Sequence, residues 1–291
     1  MIIFFQQFLN ALQLGAIYAL IALGYTMVYG IIRLINFAHG DIFMVAAFIG
    51  FLAGTFLKLP LVPTLLLTML FTALLGVTIE RVAYRRLRYA PRVSAVITAL
   101  GIGLFLENFV RALQPNPQVF PTLIGRQEYA FFGVATSNVQ VIIIAVSVGL
   151  MLLLRYIVQH TMLGKAMRAV SDNRDVVPLL GINLNLVISA TFALGSALAA
   201  VGGIFYGQAY PSIDPYMGIV IGWKAFISAV VGGIGLIDGA MLGGFLLGFV
   251  EIFVAGYLVS TLRDGIAFTI LILVLLLRPT GLLGRPVTKK V

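Results

Sequence analysis

Long apolar runs separated by short polar breaks set the pattern of this chain. About 20 apolar residues cross a bilayer core. Such runs lie near residues 8–32, 41–58, 61–80, 93–113, 138–158, 186–207, 218–236, 239–258 and 262–278. The pattern predicts an all-α polytopic membrane protein, a single transmembrane domain over 1–291 with about nine (eight to ten) transmembrane helices. The 218–236 run is the weakest, because it contains Lys224 and ends in Gly232-Gly233-Ile234-Gly235. Two half-helices or a re-entrant piece are the alternatives there. Two polar stretches exceed an ordinary connection: 114–137, with Pro115, Pro117 and Pro121, and 159–185.

Charge gives the runs a direction. Nineteen Lys and Arg face ten Asp and Glu, a net +9, and in a membrane chain that excess collects in cytoplasmic loops. Fourteen fall on one side of the expected spans: Arg33, Arg81, Arg85, Arg86, Arg88, Arg92, Arg155, Lys165, Arg168, Arg174, Arg278, Arg285, Lys289 and Lys290. Lys58, Arg111, Arg126 and Arg263 fall on the other, and Lys224 lies within a run. The fourteen-residue side is expected in the cytoplasm, with the N-terminus outside and the C-terminus inside. That requires an odd number of crossings, which nine satisfies. It makes 114–137 an external loop and 159–185 a cytoplasmic one. No basic residue precedes the first run, so that run reads as a retained span rather than a cleaved signal.

Composition narrows the function. The chain is 61% hydrophobic and 10% charged, with a mean hydropathy of +1.08, whereas soluble domains carry about 25% charged residues. A soluble enzyme, a disordered chain and a nucleic-acid binder are excluded; lipid must surround most of the protein. The absence of cysteine excludes disulfides and thiolate metal sites. His39 and His160 stand alone, so no metal ligands and no catalytic residues are assigned. Gly164-Lys165-Ala166 lacks the upstream glycine and the hydroxyl of a phosphate-binding loop. No cofactor is expected on the chain itself, and any ATP would be used elsewhere.

Ionisable residues within membrane spans mark function by default. Glu107 and Arg111, four apart, are expected to pair along one helical face. Glu251 has no basic residue within a turn and is a candidate for the translocation path. A protonated packing residue, or a bond to a neighbouring helix, is its alternative. Asp41 follows the polar break Asn36-Phe37-Ala38-His39-Gly40 and is expected to cap the helix that begins there. The functional alternative makes Asn36, His39 and Asp41 an inner gate. Glycines at 235, 239 and 243, at 244 and 248, and at 203 and 207 are spaced as flat stripes for close helix approach.

The 159–185 stretch holds the most unusual local sequence. A short amphipathic helix with Ala166, Met167 and Val170 on one side is followed by the capping residues Ser171-Asp172-Asn173. A second turn carries Val176, Val177, Leu179 and Leu180 and stops at Gly181. Apolar residues in a cytoplasmic loop serve either a helix lying on lipid or docking into a groove of a soluble partner.

Gly164-x-Ala166-Met167-Arg168-Ala169, with Gly181-Ile182 downstream, resembles the coupling loop of ABC importer permeases, and most of all the branched-chain amino acid permeases of the LivH type. Asn36-Phe37-Ala38-His39-Gly40-Asp41, Val231-Gly232-Gly233-Ile234-Gly235 with Gly239-Ala240-Met241-Leu242-Gly243-Gly244, and Pro279-Thr280-Gly281-Leu282-Leu283-Gly284 agree with that family in order and spacing. Val176-Val177-Pro178 departs from the alanine-rich version usual there. The resemblance implies a multi-pass permease subunit of the bacterial inner (cytoplasmic) membrane, not itself an enzyme. Its implied partners are a second homologous permease, two cytoplasmic ATPase subunits and an extracytoplasmic substrate-binding protein. Its implied role is import of branched-chain amino acids by ATP-driven alternating access. Gly164, Lys165, Ala166, Arg168, Val170, Ser171, Asp175, Leu180 and Gly181 would then form the ATPase-coupling segment. In a docked segment Ala166, Val170 and Leu180 would insert into a cleft, with Arg168 and Asp175 at its rim. Urea, short amides or another amino acid, and an ion-coupled secondary transporter, stay open as alternatives.

Overall fold

The computed structural model describes residues 2–131 and 133–284; Arg285, Lys289 and Lys290 of the charge count lie outside the described residues. The long helices are α1 (Ile2–Ile32), α2 (His39–Thr55), α3 (Leu61–Ile79), α5 (Arg92–Leu113) and α6 (Asn138–His160), then α8 (Leu184–Ala209), α9 (Met217–Gly232), α10 (Ile237–Tyr257) and α11 (Arg263–Leu277). Helix α3 runs on through a π turn, Glu80–Tyr84, into the single turn α4 (Arg85–Leu87), and α7 (Met162–Asp172) lies between α6 and α8. Seven of these segments are long and apolar enough to cross a membrane, while α2 and α9, with 17 and 16 residues, are shorter.

Helix α1 is apolar on every side and almost every residue from Leu14 to Val28 is buried, as expected of a helix enclosed by others. Helices α10, α8, α9 and α6 pack around it. The outer helices invert the soluble pattern. On α3 the buried positions are Thr64, Thr68, Thr72 and Gly76, four apart, and Ile79 at its end, while Leu66, Leu70 and Leu74 point outward. Without a hydrophobic drive between helices in lipid, small and hydroxylated residues make the protein contact. Gly76 shows the closeness: a Cβ there would meet the Ser196 side chain on α8.

The glycine stripes resolve into specific contacts. A Cβ on Gly244 or Gly248 would collide with the α1 backbone at Ala19 or Gly15 respectively. Gly203 lies against the α2 backbone at Phe43 and Ala47, and Gly239 and Gly243 lie against α9. Gly235 does not belong to that stripe. It sits with Gly233 in the turn between α9 and α10, at φ +97° and +116° respectively, where a side chain would strain the backbone. The 218–236 run is accordingly one continuous helix that stops at Gly232, not two half-helices.

The helix ends gather at two opposite sides. At one, Ser171 donates to the Gly30 carbonyl, Arg155 pairs with Asp238, and the Leu282 N–H bonds Val231. At the other, β1 (Gln118–Val119) pairs antiparallel with β4 (Ser212–Ile213), and Gln140 bonds Asn10. The 114–137 stretch is more ordered than a polar loop: β2 (Glu128–Phe131) and β3 (Val134–Ser137) form a hairpin over the start of α1.

Candidate functional site

Helix α1 ends at Ile32, and the chain turns back at Arg33, in the left-handed region at φ 57°. Residues 33–38 then run without regular structure until α2 starts at His39. His39 is buried against Tyr25, ring centroids 4.9 Å apart, and a Cβ on Gly24 would strike its ring. Gly24 lies eight residues before the α1 end, about 12 Å along the axis. The break therefore lies within the bundle alongside the last turns of α1, and α2 begins beside Gly24. Non-helical backbone at that depth is tolerated only where protein encloses it. Asn36 is buried and accepts from the Tyr84 hydroxyl at 3.1 Å, while its amide nitrogen has no partner.

Asp41 lies in the first turn of α2 but is not its cap, a position held by Ala38 without a side-chain bond. The expected capping role fails because the chain enters the helix three residues earlier. The carboxylate instead occupies a gap left by two glycines on other helices. A Cβ on Gly103 of α5 would collide with Oδ2, and one on Gly218 in the first turn of α9 would come within 2.9 Å of Oδ1. Asp41 is 7% exposed and its Oδ1 has no hydrogen-bond partner. It lines a cavity of about 140 Å³ together with Glu107, Tyr25, Phe37, Trp223 and Phe226. Glu107 is not paired with Arg111, which instead donates to the Tyr216 hydroxyl at 2.6 Å. The two share a helix, but Glu107 faces the cavity and Arg111 the end of α9.

Glu251 is fully buried, and its partner comes from another helix. The Lys224 ammonium of α9 forms an ion pair with it, and the Tyr18 hydroxyl of α1 donates to its other oxygen at 2.6 Å. Lys224 also reaches Asp264 at 2.8 Å, and Arg263 stands 3.7 Å from Glu251. Isolation along the sequence was thus only local, because α9 and α10 bring charges 27 residues apart into contact. A second buried acid, Glu80 in the π turn, binds Arg88 at 2.5 Å, Arg85 at 3.1 Å and the Ser189 hydroxyl at 2.7 Å. Charge counting treats these arginines as loop bias alone; an acid five and eight residues from two arginines was the missed signal.

Helix α7 is strongly amphipathic, but its apolar face is already occupied. Gly164, Met167 and Val170 are buried within the chain, Val170 at 3% exposure, and Ala166 packs partly against the same core. Insertion of Val170 into a partner's cleft is therefore corrected, since the side chain is spent on α7's own seat against α1, α6 and α8. Thr161 caps the helix start by accepting from the Gly164 N–H, and Arg168 donates to the Val158 carbonyl. Ser171 is tied to Gly30, whereas Lys165 and Asp175 are exposed. Asn173 accepts from the Asp175 and Val176 N–H groups and turns the chain. The 3-10 turn Val177–Leu180 follows and ends at Gly181, φ +75°. Its outer side carries Val176, Leu179 and Leu180, with Leu179 83% exposed.

Apolar helices around an enclosed central one, with acids and a broken helix buried between them, define a multi-pass membrane protein with polar sites inside its bundle. The chain belongs to the family described as "Branched-chain amino acid transport system / permease component", which matches residues 7–275. It is 44% identical to the high-affinity branched-chain amino acid transport system permease protein BraD of Pseudomonas aeruginosa, covering 99% of this chain and 98% of that protein. It is 42% identical to the permease protein LivH of Escherichia coli K12 and 41% to that of Salmonella typhimurium, with the same coverage. No solved structure matches the chain.

Proposed function

We propose that this chain is the translocating permease subunit of a binding-protein-dependent ABC importer for branched-chain amino acids in the bacterial cytoplasmic membrane. Family membership over nearly the whole chain is the observation that carries the reading. The protein holds the path and partner subunits hydrolyse the ATP. Nine crossings, with the N-terminus outside and the loop 159–185 in the cytoplasm, accommodate all nine apolar helices and leave eleven of the described Lys and Arg on the cytoplasmic side against four outside.

Two cytoplasmic ATPase subunits would dock on the exposed end of the coupling segment, where Val176, Leu179 and Leu180 stand free beside Lys165 and Asp175. Helix α7, seated on α1, α6 and α8, would carry the displacement inward. A second homologous permease would cover part of the exposed apolar flank, and an extracytoplasmic binding protein would deliver substrate to the hairpin side. The test is uptake by proteoliposomes holding both permeases, the ATPases and the binding protein. ATP-dependent accumulation of leucine, isoleucine or valine is expected. Accumulation driven by an ion gradient without ATP overturns the importer reading, and ATP-dependent uptake of urea or an amide instead overturns the substrate.

A further inference from the structure

We propose that the cavity between α2, α5 and α9 binds the primary ammonium group of the transported amino acid, with Asp41 and Glu107 as its anionic partners. The assignment rests on the amino-acid reading above and adds to it a location and a chemistry. A buried charge requires a partner, and the other buried acids have theirs: Glu80 meets two arginines, and Glu251 meets Lys224. Among the described residues, no Lys or Arg pairs with Asp41 or Glu107, although both are more than nine-tenths buried. The missing counter-charge therefore has a place to sit rather than a residue to supply it.

The geometry keeps that place open. Gly103 and Gly218 leave room for the Asp41 carboxylate, whose Oδ1 has no hydrogen-bond partner, and Asp41 lines the cavity with Glu107. The first turns of α2 and α9 meet here, Gly40 against Gly218, and two helix N-termini favour the ionised carboxylate. The remaining walls combine four aromatic rings with Leu100, Leu104 and Ile219, which suits both an ammonium against ring faces and an aliphatic side chain. A cavity of about 140 Å³ is roughly ten times the room one water needs.

The chain lacks cysteine, so Leu104→Cys places a single thiol at the cavity wall in the assembled transporter. L-leucine is expected to slow its alkylation, and so is 3-methylbutylamine, which keeps the ammonium and lacks the carboxylate. The deaminated analogue 4-methylpentanoate is expected to give no protection. Asp41→Asn or Glu107→Gln in this background should weaken protection by about tenfold to a hundredfold, the loss of a hydrogen bond to a charged group. Equal protection by L-leucine and 4-methylpentanoate overturns the ammonium assignment and leaves the importer reading standing. So does undiminished protection in both acid variants, the result expected if the two carboxylates merely share a proton. Uptake without any protection overturns the site. Failure of the complete transporter to take up any branched-chain amino acid overturns the amino-acid reading, and the ammonium assignment with it. The analogue comparison uses native acids, so it decides the matter even if both variants fail to assemble.

Discussion

Four acidic side chains are buried in the described bundle, Asp41, Glu80, Glu107 and Glu251, and whether each meets a cation separates them. Glu251 has Lys224 and Tyr18, so Lys224→Met leaves it with little besides the half-exposed Arg263. Removing one partner of a buried pair costs about 3–5 kcal/mol. We expect a clear fall in the thermal midpoint of the purified permease, with much of it recovered in Lys224→Met/Glu251→Leu. Glu251→Gln should be milder, because Lys224 keeps Asp264 at 2.8 Å. It should also leave the pH profile of ATP-driven uptake unchanged. A lost proton flux in that variant would assign Glu251 to ion coupling instead. A drop for Glu251→Gln as large as that for Lys224→Met would show that Asp264 does not hold the lysine.

At the scale of elements, α7 and the turn after it divide one amphipathic segment between two tasks. The inner face seats the helix, and the outer turn presents Leu179 and Leu180. Val170→Asp should therefore reduce the amount of folded permease, measured as the monodisperse fraction after solubilisation. Leu180→Asp should leave that fraction intact and weaken ATPase retention about tenfold to a hundredfold, the loss of roughly 1.5–3 kcal/mol of side-chain burial. Unchanged ATPase content with Leu179→Asp/Leu180→Asp would remove the turn from the coupling surface. Helix contacts built on glycine follow a different logic. Gly248→Val inserts a branched side chain where α1 and α10 already touch, and should lower the yield of folded protein more than Gly149→Val, whose Cβ meets nothing within 4 Å.

For the whole molecule, orientation is the claim with the widest consequences. Asp172 and Asn116 are exposed at opposite ends, and single cysteines there can be labelled with an impermeant reagent. Asn116→Cys should react in intact cells, and Asp172→Cys only after permeabilisation. The reverse pattern would place the coupling turn outside and sink the ATPase-docking reading. Long-range contacts tie each loop to its own end of the bundle. Strand β1 pairs with β4 across nearly a hundred residues, and Ser171 bonds Gly30 across 141.

Much of this was legible in the chain. Apolar runs located the helices because lipid demands about 20 such residues whatever surrounds them. The turn at Gly181 and the break at Asn36–Asp41 were legible because local chemistry alone forbids an undisturbed helix there. Partnership was not legible. Pairing of Glu107 with Arg111 followed from helical spacing, yet spacing says which residues share a face and not what fills the space opposite. Lys224 looked like a blemish in a weak span until α10 placed Glu251 beside it. Val170 looked free to dock until α1, α6 and α8 closed over it. Local sequence determined where helices start, stop and meet lipid, because those depend on single segments. Tertiary structure alone decided which charges are neutralised and which are left waiting in a cavity, because a buried charge is answered by whatever residue the fold brings near.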